Sequence, residues 1–274
     1  GTYSREFIVT SQCAGALNLS TFTNTTQSCY TSTYCVDLKD INPDNGKTDI
    51  VSAGYGSTFL YGFWGTSTNG ASPPTFSTSG GYSTQSSPFS LELVDIDMDG
   101  KLDVISTALG TNQLSVQRAY NPSISSPAMA YPLSSAPMEV KSGDIDGDGK
   151  PDIVVGYASG TVISVYRNTS SISNIQLANR IDITVGAVVP NAIVVRDLDG
   201  DGKADIAFGQ GNASNFSVLR STSTPGNITF ATQQNFSTTS GNVTDLATGD
   251  FNYPNPDGKP DMVVACSNNY VRLF

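Results

Sequence analysis

An all-β fold made of five repeats is what the sequence predicts, and three observations predict it. A short carboxylate-rich loop is written five times along the 274 residues. The aspartates that close the copies, Asp49, Asp103, Asp152, Asp205 and Asp261, are separated by 54, 49, 53 and 56 residues. Between the loops, apolar residues alternate with polar ones and are bounded by Gly and Ser clusters, while no segment sustains a helical period. A period of this size means stacked supersecondary units.

Each repeat reads as four antiparallel strands. Strand A leads into the loop, as in Asn191–Arg196. Strand B leaves the closing Asp as a near-continuous apolar run, as in Asp152–Val155. A Gly, Ser or Asn turn follows, and strand C alternates, as in Thr161–Tyr166 and Asn215–Arg220. Strand D is the weakest, with Ile228–Gln233 as its example. Four strands per repeat describe the blade of a five-bladed β-propeller. The expectation is one domain over 1–274, with repeats at approximately 30–88, 89–137, 138–190, 191–241 and 242–274 plus 1–12. The last repeat stops after strand C at Phe274, and Glu6–Gln12, which resembles Phe230–Gln234, is expected to supply its missing strand. A ring closed this way has no open edge.

The loop has the chemistry of a calcium cage. Its clean form, Asp-x-Asp-x-Asp-Gly-Lys-x-Asp, runs from Asp95 to Asp103, Asp144 to Asp152 and Asp197 to Asp205. Carboxylates at alternate positions, a Gly for a sharp turn and a closing Asp offer the hard oxygen donors that calcium takes. The expected ligands are Asp95, Asp97, Asp99 and Asp103 with Lys101; Asp144, Asp146, Asp148 and Asp152 with Lys150; and Asp197, Asp199, Asp201 and Asp205 with Lys203. Each Lys gives a backbone carbonyl, its side chain standing in solvent. Two stretched copies add Asp40, Asn42, Asp44, Lys47 and Asp49, and Asp250, Asn252, Asp257, Lys259 and Asp261. Asn in place of the second Asp, and the insertions, predict weaker or differently shaped sites there. About five Ca2+ ions are implied, each stapling strand A to strand B.

Charge supports that reading. The chain carries 24 acidic and 14 basic residues, a net charge of -10, and 18 of the acids lie in the loops. The acidity is therefore a ligand inventory. The absence of a basic stripe argues against nucleic acid, and the absence of a long apolar run argues against membrane insertion. No leader segment is legible, as expected of a mature form or an excised domain. The chain has no His and its Cys residues form no C-x-x-C pair, which argues against zinc. Four Cys beside calcium loops suggest an extracellular, oxidising compartment. Cys13, Cys29, Cys35 and Cys266 are all expected near the closure seam, with Cys35–Cys266 and Cys13–Cys29 preferred and the other pairings open. Eight N-x-S/T sequons occur, Asn168 and Asn227 among them.

The five Asp loops, with phrases such as Ala247–Phe251 and Ser217–Gly226, resemble the FG-GAP/VCBS calcium-binding propeller repeat of integrin α heads and secreted microbial surface proteins. The resemblance covers nearly the whole chain and implies a calcium-bearing propeller. It leaves the ligand open, because that family hosts several functions. A binding surface is expected opposite the calcium loops, where the B–C turns offer Tyr55, Asn112, Tyr157, Gln210, Asn212, Asn268 and Asn269. Aromatic faces and amides are what sugar recognition uses. The leading expectation is a secreted, non-catalytic, lectin-like module for a glycan or cell-surface glycoconjugate. A protein-binding adhesion domain is the first alternative. The second is a polysaccharide-degrading enzyme using Glu139 and Asp245, the best-placed acids outside the loops. Without His, the commonest general base is missing.

Overall fold

The computed structural model describes residues 32–41, 45–66, 75–118, 128–186, 189–239, 241–251 and 258–274. Among them are nineteen strands and no helix, hence no helix long and apolar enough to cross a membrane. The strands fall into five antiparallel sheets, each in simple chain order. The first sheet holds β1 (Ser32–Lys39), β2 (Asp49–Tyr55), β3 (Phe59–Gly65) and β4 (Phe76–Ser83). The second holds β5 (Pro88–Val94), β6 (Asp103–Ala108), β7 (Gln113–Arg118) and β8 (Met129–Pro132). The third holds β9 (Pro137–Gly143), β10 (Asp152–Tyr157), β11 (Val162–Tyr166) and β12 (Ile181–Thr184). The fourth holds β13 (Pro190–Arg196), β14 (Asp205–Gln210), β15 (Asn215–Leu219) and β16 (Gln234–Ser237). The fifth holds β17 (Val243–Gly249), β18 (Asp261–Cys266) and β19 (Tyr270–Leu273). The strand expected at Glu6–Gln12 lies outside the described residues.

One register rule recurs. In every sheet the closing Asp pairs with the residue just before the opening Asp: Lys39 with Asp49, Val94 with Asp103, Gly143 with Asp152, Arg196 with Asp205 and Gly249 with Asp261. The loop therefore sets the pairing of the first two strands. Each of these ladders also carries a bulge near its far end, which raises local twist.

The sheets stack face to face in chain order, first strand beside first strand: β1 with β5, β5 with β9, β9 with β13 and β13 with β17. Four apolar layers separate them, with Val51, Leu60 and Leu93 in the first, Ile105, Val116 and Val155 in the second, Ile163, Ile206 and Phe208 in the third, and Ala207, Phe216 and Val264 in the fourth. This layering explains the apolar second strands. β6, β10 and β14 are buried at all six positions because each has a sheet on both sides. β18 alternates buried and half-buried residues, since only the fourth sheet covers it fully. At the two ends of the stack Val36 and Leu38 on β1, and Val271 and Leu273 on β19, stay exposed.

Two expectations are corrected here. The fourth strand of the fourth sheet is Gln234–Ser237, not Ile228–Gln233. Residues 221–230 form a small hairpin instead, with bridges Ser221–Phe230 and Thr224–Asn227 closed by Thr222 N–H donating to the Thr229 carbonyl (2.9 Å). Pro225-Gly226 is the turn that breaks the strand, Gly226 taking φ +89°. Cys35 and Cys266 are both free. Cys35 faces the second sheet and lies 3.6 Å from the Leu91 carbonyl, whereas Cys266 packs into the layer between the fourth and fifth sheets. One thiol sits in the first apolar layer and the other in the fourth, so the two do not pair. Cys13 and Cys29 lie outside the described residues.

Gly156 on β10 gives a direct test of the stacking. A Cβ there would sit 2.5 Å from the Pro190 carbonyl oxygen and 2.7 Å from Ile193 Cδ1 in the next sheet. Gly156→Ala is expected to destabilise the fold by about 1–3 kcal/mol through overpacking. An unchanged urea midpoint would refute the close approach.

Candidate metal centre

The three compact loops are built alike. The opening Asp accepts backbone N–H groups from inside its own loop. Asp144 accepts from Gly147 (2.8 Å), Asp148 (3.1 Å) and Gly149 (2.8 Å). Asp95 accepts from Asp99 (3.2 Å) and Gly100 (2.8 Å), and Asp197 from Gly200 (2.7 Å) and Gly202 (2.8 Å). The fifth-position Asp accepts from the Lys N–H two residues on, at 3.0 Å in Asp99, 3.0 Å in Asp148 and 2.9 Å in Asp201. The Gly before each Lys adopts a left-handed φ of +84° to +87° (Gly100, Gly149, Gly202), a conformation that costs other residues free energy.

The closing Asp reaches beyond the loop. Asp152 Oδ2 accepts from Ile145 N–H (3.0 Å), and its Oδ1 accepts from Asn168 N–H (2.8 Å), just past β11. Asp205 does the same with Leu198 (3.0 Å) and Ser221 (2.7 Å), and Asp49 with Ile41 (3.0 Å) and Gly65 (2.7 Å). One buried carboxylate thus ties the loop to the end of the third strand.

Three groups of carboxylates can hold a metal ion. They are Asp95, Asp97 and Asp99; Asp144, Asp146 and Asp152; and Asp197, Asp199 and Asp205, each offering oxygens that all lie within 4.8 Å of one another. Burial pushes the Asp103 and Asp152 carboxyls up to about 7, and neighbouring loop aspartates add to the effect. Asp97 is fully buried, and its Oδ1 has no hydrogen-bond partner. Clustered carboxylates at this burial are costly as bare anions. An all-oxygen donor set with an orphaned oxygen fits a hard divalent cation.

The ends of the two stretched loops repeat the design. Asp261 accepts from Phe251 N–H (2.7 Å), Asp250 accepts from Gly258 N–H (2.7 Å), and Asp250 Oδ1 is a second buried oxygen without a partner. Asn42, Asp44, Asn252 and Asp257 lie outside the described residues. Three of the five loop lysines are fastened to backbone rather than standing free in solvent as expected. Lys47, Lys150 and Lys203 donate to the carbonyls of Thr66 (3.0 Å), Ser170 (2.7 Å) and Ser223 (3.4 Å), fastening each loop to the segment after the third strand.

Sequence reasoning missed two sets of residues. Arg118, Arg167 and Arg220 pair with the aspartates at positions three and five of their loops. Each stands fifteen residues after its closing Asp, a spacing that was legible. Asn168 and Ser221, the next residues along, reach the preceding sheet. Asn168 Nδ2 donates to the Ile96 carbonyl (2.8 Å) and Ser221 Oγ to that of Ile145 (2.8 Å). Gly226 N–H, at the tip of the fourth sheet's hairpin, donates to Asp146 Oδ2 (2.8 Å).

At the other end of the sheets the proposed binding residues sit one or two to a sheet. Tyr55, Asn112, Asn212 and Asn269 are exposed, and Asn268 is half-buried against Gly241. Asn112 and Asn269 have left-handed φ values of +50° and +67°, a backbone reason for Asn in tight turns. Tyr157 and Gln210 are corrections, because both are buried. The Tyr157 hydroxyl donates to Ser164 Oγ (2.6 Å) and Gln210 Nε2 to Ser217 Oγ (2.7 Å), so each ties the second strand of its sheet to the third.

Glu139 and Asp245 belong to a polar group on the first strands. Glu139 Oε2 accepts from Ile193 N–H (2.7 Å) in the next sheet, and its Oε1 pairs with Lys141 (3.3 Å). Oε2 of Glu139 therefore braces the first strand of the next sheet, while Oε1 pairs along its own strand. Asp37 makes the same kind of strut to Leu93 N–H (2.8 Å).

A model of the FG-GAP-like repeat matches residues 40–106, 144–208 and 197–253. The chain is a repeat protein of stacked antiparallel sheets with aspartate loops at one end, and it belongs to the FG-GAP-like repeat family. No curated protein matches it. Among solved structures it is similar to BBS1N, crystallised in complex with ARL6DN and soaked with lead, at 13% identity and a TM-score of 0.50, over 90% of this chain and 79% of that one. It is also similar to an Agrocybe aegerita lectin described as recognising non-reducing terminal N-acetylglucosamine, at 18% identity and a TM-score of 0.56. That match spans 86% of this chain and 61% of the lectin.

Two substitutions test the site's physics. Met98 has φ +56° where the sister loops place Gly147 and Gly200. Met98→Gly should stabilise the protein by about 0.5–1 kcal/mol, the left-handed strain relieved less the added chain entropy; a lower melting midpoint would contradict this. Burial pushes the Glu139 carboxyl up, with Asp245 adding to the effect and Lys141 opposing it. A raised carboxyl favours folding at low pH, and that contribution is lost as pH rises above the ordinary Glu range. Glu139→Gln should therefore melt higher than the parent at pH 7, the gap closing on acidification. A gap that ignores pH would show that the carboxylate is not penalised.

Proposed function

We propose that this protein is a secreted, calcium-stabilised, five-bladed β-propeller that binds carbohydrate without catalysis, on the end of the sheets opposite the aspartate loops. The observation that carries the reading is an aromatic shelf at that end. Tyr34 and Tyr55 are 55% and 53% exposed, with ring centroids 6.0 Å apart at 72°. Phe89 lies 4.8 Å from Tyr34 across the first sheet boundary. Exposed rings locked by one another offer apolar faces for the CH surface of a sugar, with tyrosine hydroxyls for its oxygens.

Calcium in about five loops fits the oxygen donors, and modules of this kind load at the millimolar calcium found outside cells. Ring closure is supported by the exposed Val36, Leu38, Val271 and Leu273, which a seam between first and last sheets would bury. The non-catalytic reading is supported by Glu139, whose two oxygens are already engaged. A protein ligand is the second reading, favoured by the likeness to BBS1N, which was solved with a protein partner.

A glycan array in millimolar calcium, repeated in chelator, tests the reading, with N-acetylglucosamine-terminated glycans placed first because of the lectin likeness. Tyr34→Ala and Tyr55→Ala should each weaken glycan binding by roughly tenfold, within the range for an aromatic contact, and leave folding intact. A blank array from folded, calcium-loaded protein would sink the carbohydrate reading and direct the search to protein partners.

A further inference from the structure

Each compact loop carries a cation of its own. Arg118 ends β7, while Arg167 and Arg220 follow β11 and β15 directly. All three address the same oxygens, the Oδ2 atoms of the aspartates at positions three and five. Arg118 Nε donates to Asp97 Oδ2 (2.8 Å), and its second nitrogen reaches Asp99 Oδ2 (3.5 Å). Arg167 lies 3.8 Å from Asp146 Oδ2 and 3.7 Å from Asp148 Oδ2. Arg220 pairs with Asp199 Oδ2 and lies 3.6 Å from Asp201 Oδ2.

The other oxygen of the third-position Asp, Oδ1, accepts one backbone N–H in the third and fourth sheets, from Asp148 (3.1 Å) and Asp201 (3.2 Å). In the second sheet that atom, Asp97 Oδ1, is buried and has no hydrogen-bond partner, although its own carboxylate is held by Arg118. Asp97 thus gives Oδ2 to the guanidinium and leaves Oδ1 open to a cation in the loop. We propose that Arg118, Arg167 and Arg220 are resident counter-cations that position the aspartates at positions three and five and set the calcium affinity of their loops. This rests on the calcium reading above. Without calcium, the arginine offsets repulsion among the aspartates and keeps the loop closed. With calcium, its positive charge repels the ion and weakens binding. Such a site holds its shape over a wide calcium range and yields a smaller gain on loading.

The three copies differ in a way that ranks the effect. Asp97 is fully buried and Arg118 one-quarter exposed, whereas Arg220 is 52% exposed and Asp199 35%. Solvent screens the exposed pair more, so its influence is smaller. In the first repeat the equivalent position, fifteen residues after Asp49, is Trp64. It is buried and packs edge-on against Tyr82, so that loop is expected to depend most on calcium.

The test uses the whole chain. Calcium titration by calorimetry and melting in chelator are run on the parent, Arg118→Gln, Arg118→Lys and Arg220→Gln. Arg118→Gln should melt lower than the parent in chelator and bind calcium about threefold to tenfold tighter at one site, as expected for removing a nearby like charge. Arg118→Lys should restore both values towards the parent. Arg220→Gln should move both in the same directions by less, and it keeps the test alive if Arg118→Gln does not fold. If the parent binds calcium and neither Gln variant binds tighter, the proposal is overturned and the arginines are structural only. If the parent binds no calcium, the calcium reading itself fails.

Discussion

A buried aspartate that accepts two backbone N–H groups is the constraint on which the rest of the structure depends. In the first, third and fourth sheets the closing Asp holds the residue after the opening Asp with one oxygen and the end of the third strand with the other. Those N–H groups sit where ladders end, and burying them unpaired would cost about 1–3 kcal/mol each. The same carboxylate sets the register of the first two strands and lies beside the oxygens of the loop. Fold and metal chemistry therefore share one atom group. A charge buried for structural reasons lowers the cost of assembling the cage, since one ligand is already in place.

Stacking follows from what each sheet leaves unsatisfied. A four-stranded sheet with an apolar second strand has two faces to bury, and its neighbours supply both. Polar links run alongside. Near the loops, Asn168 and Ser221 bond carbonyls of the preceding sheet. Along the first strands, Asp37 and Glu139 cap N–H groups of the following one. Apolar layers are tolerant of sliding, whereas directed hydrogen bonds are not. The polar links are what fix each sheet's offset from the next. They also revise the role expected of the loops: Gly226 on Asp146 makes the third loop part of a joint between sheets as well as within one.

The repeat, the loops and the doubly buried second strands were legible because each imposes a residue type at a fixed spacing. Only carboxylates and a left-handed Gly suit those loop positions, and only continuous apolar residues suit a strand covered on both faces. Other features left weaker marks. Ile228, Thr229 and Phe230 alternate as a strand would although they close a hairpin, so alternation did not separate the two. Tyr157 and Gln210 resemble turn residues by position, yet each finds a buried hydroxyl partner, and no single-sequence pattern reports that pairing. The cysteine pairing failed because position along a strand does not say which face a side chain takes: Cys35 turns to the second sheet and Cys266 to the fourth. The arginines recur at a regular spacing, yet a single basic residue at a strand end does not say which acid it will meet across the sheet.

The proposed sugar shelf and the loops occupy opposite ends of the same strands. Tyr34 and Tyr55 stand on β1 and β2, whose other ends carry Lys39 and Asp49 of the first loop. About seven residues of extended chain separate the two ends, some 20 Å, too far for the ion to touch a ligand. Any dependence of binding on calcium must then pass through the pairing of β1 with β2. That pairing is pinned at one end by Asp49 and interrupted at the other by the bulge beneath Tyr34. A ladder fixed at its loop end has one register, and the shelf has one geometry. A ladder released there can slip or fray, and the two tyrosines lose their mutual contact before the sheet is lost. On the proposed function, a metal in the first loop would act on recognition as a distant brace, its effect reaching the ligand as preorganisation of the aromatic surface.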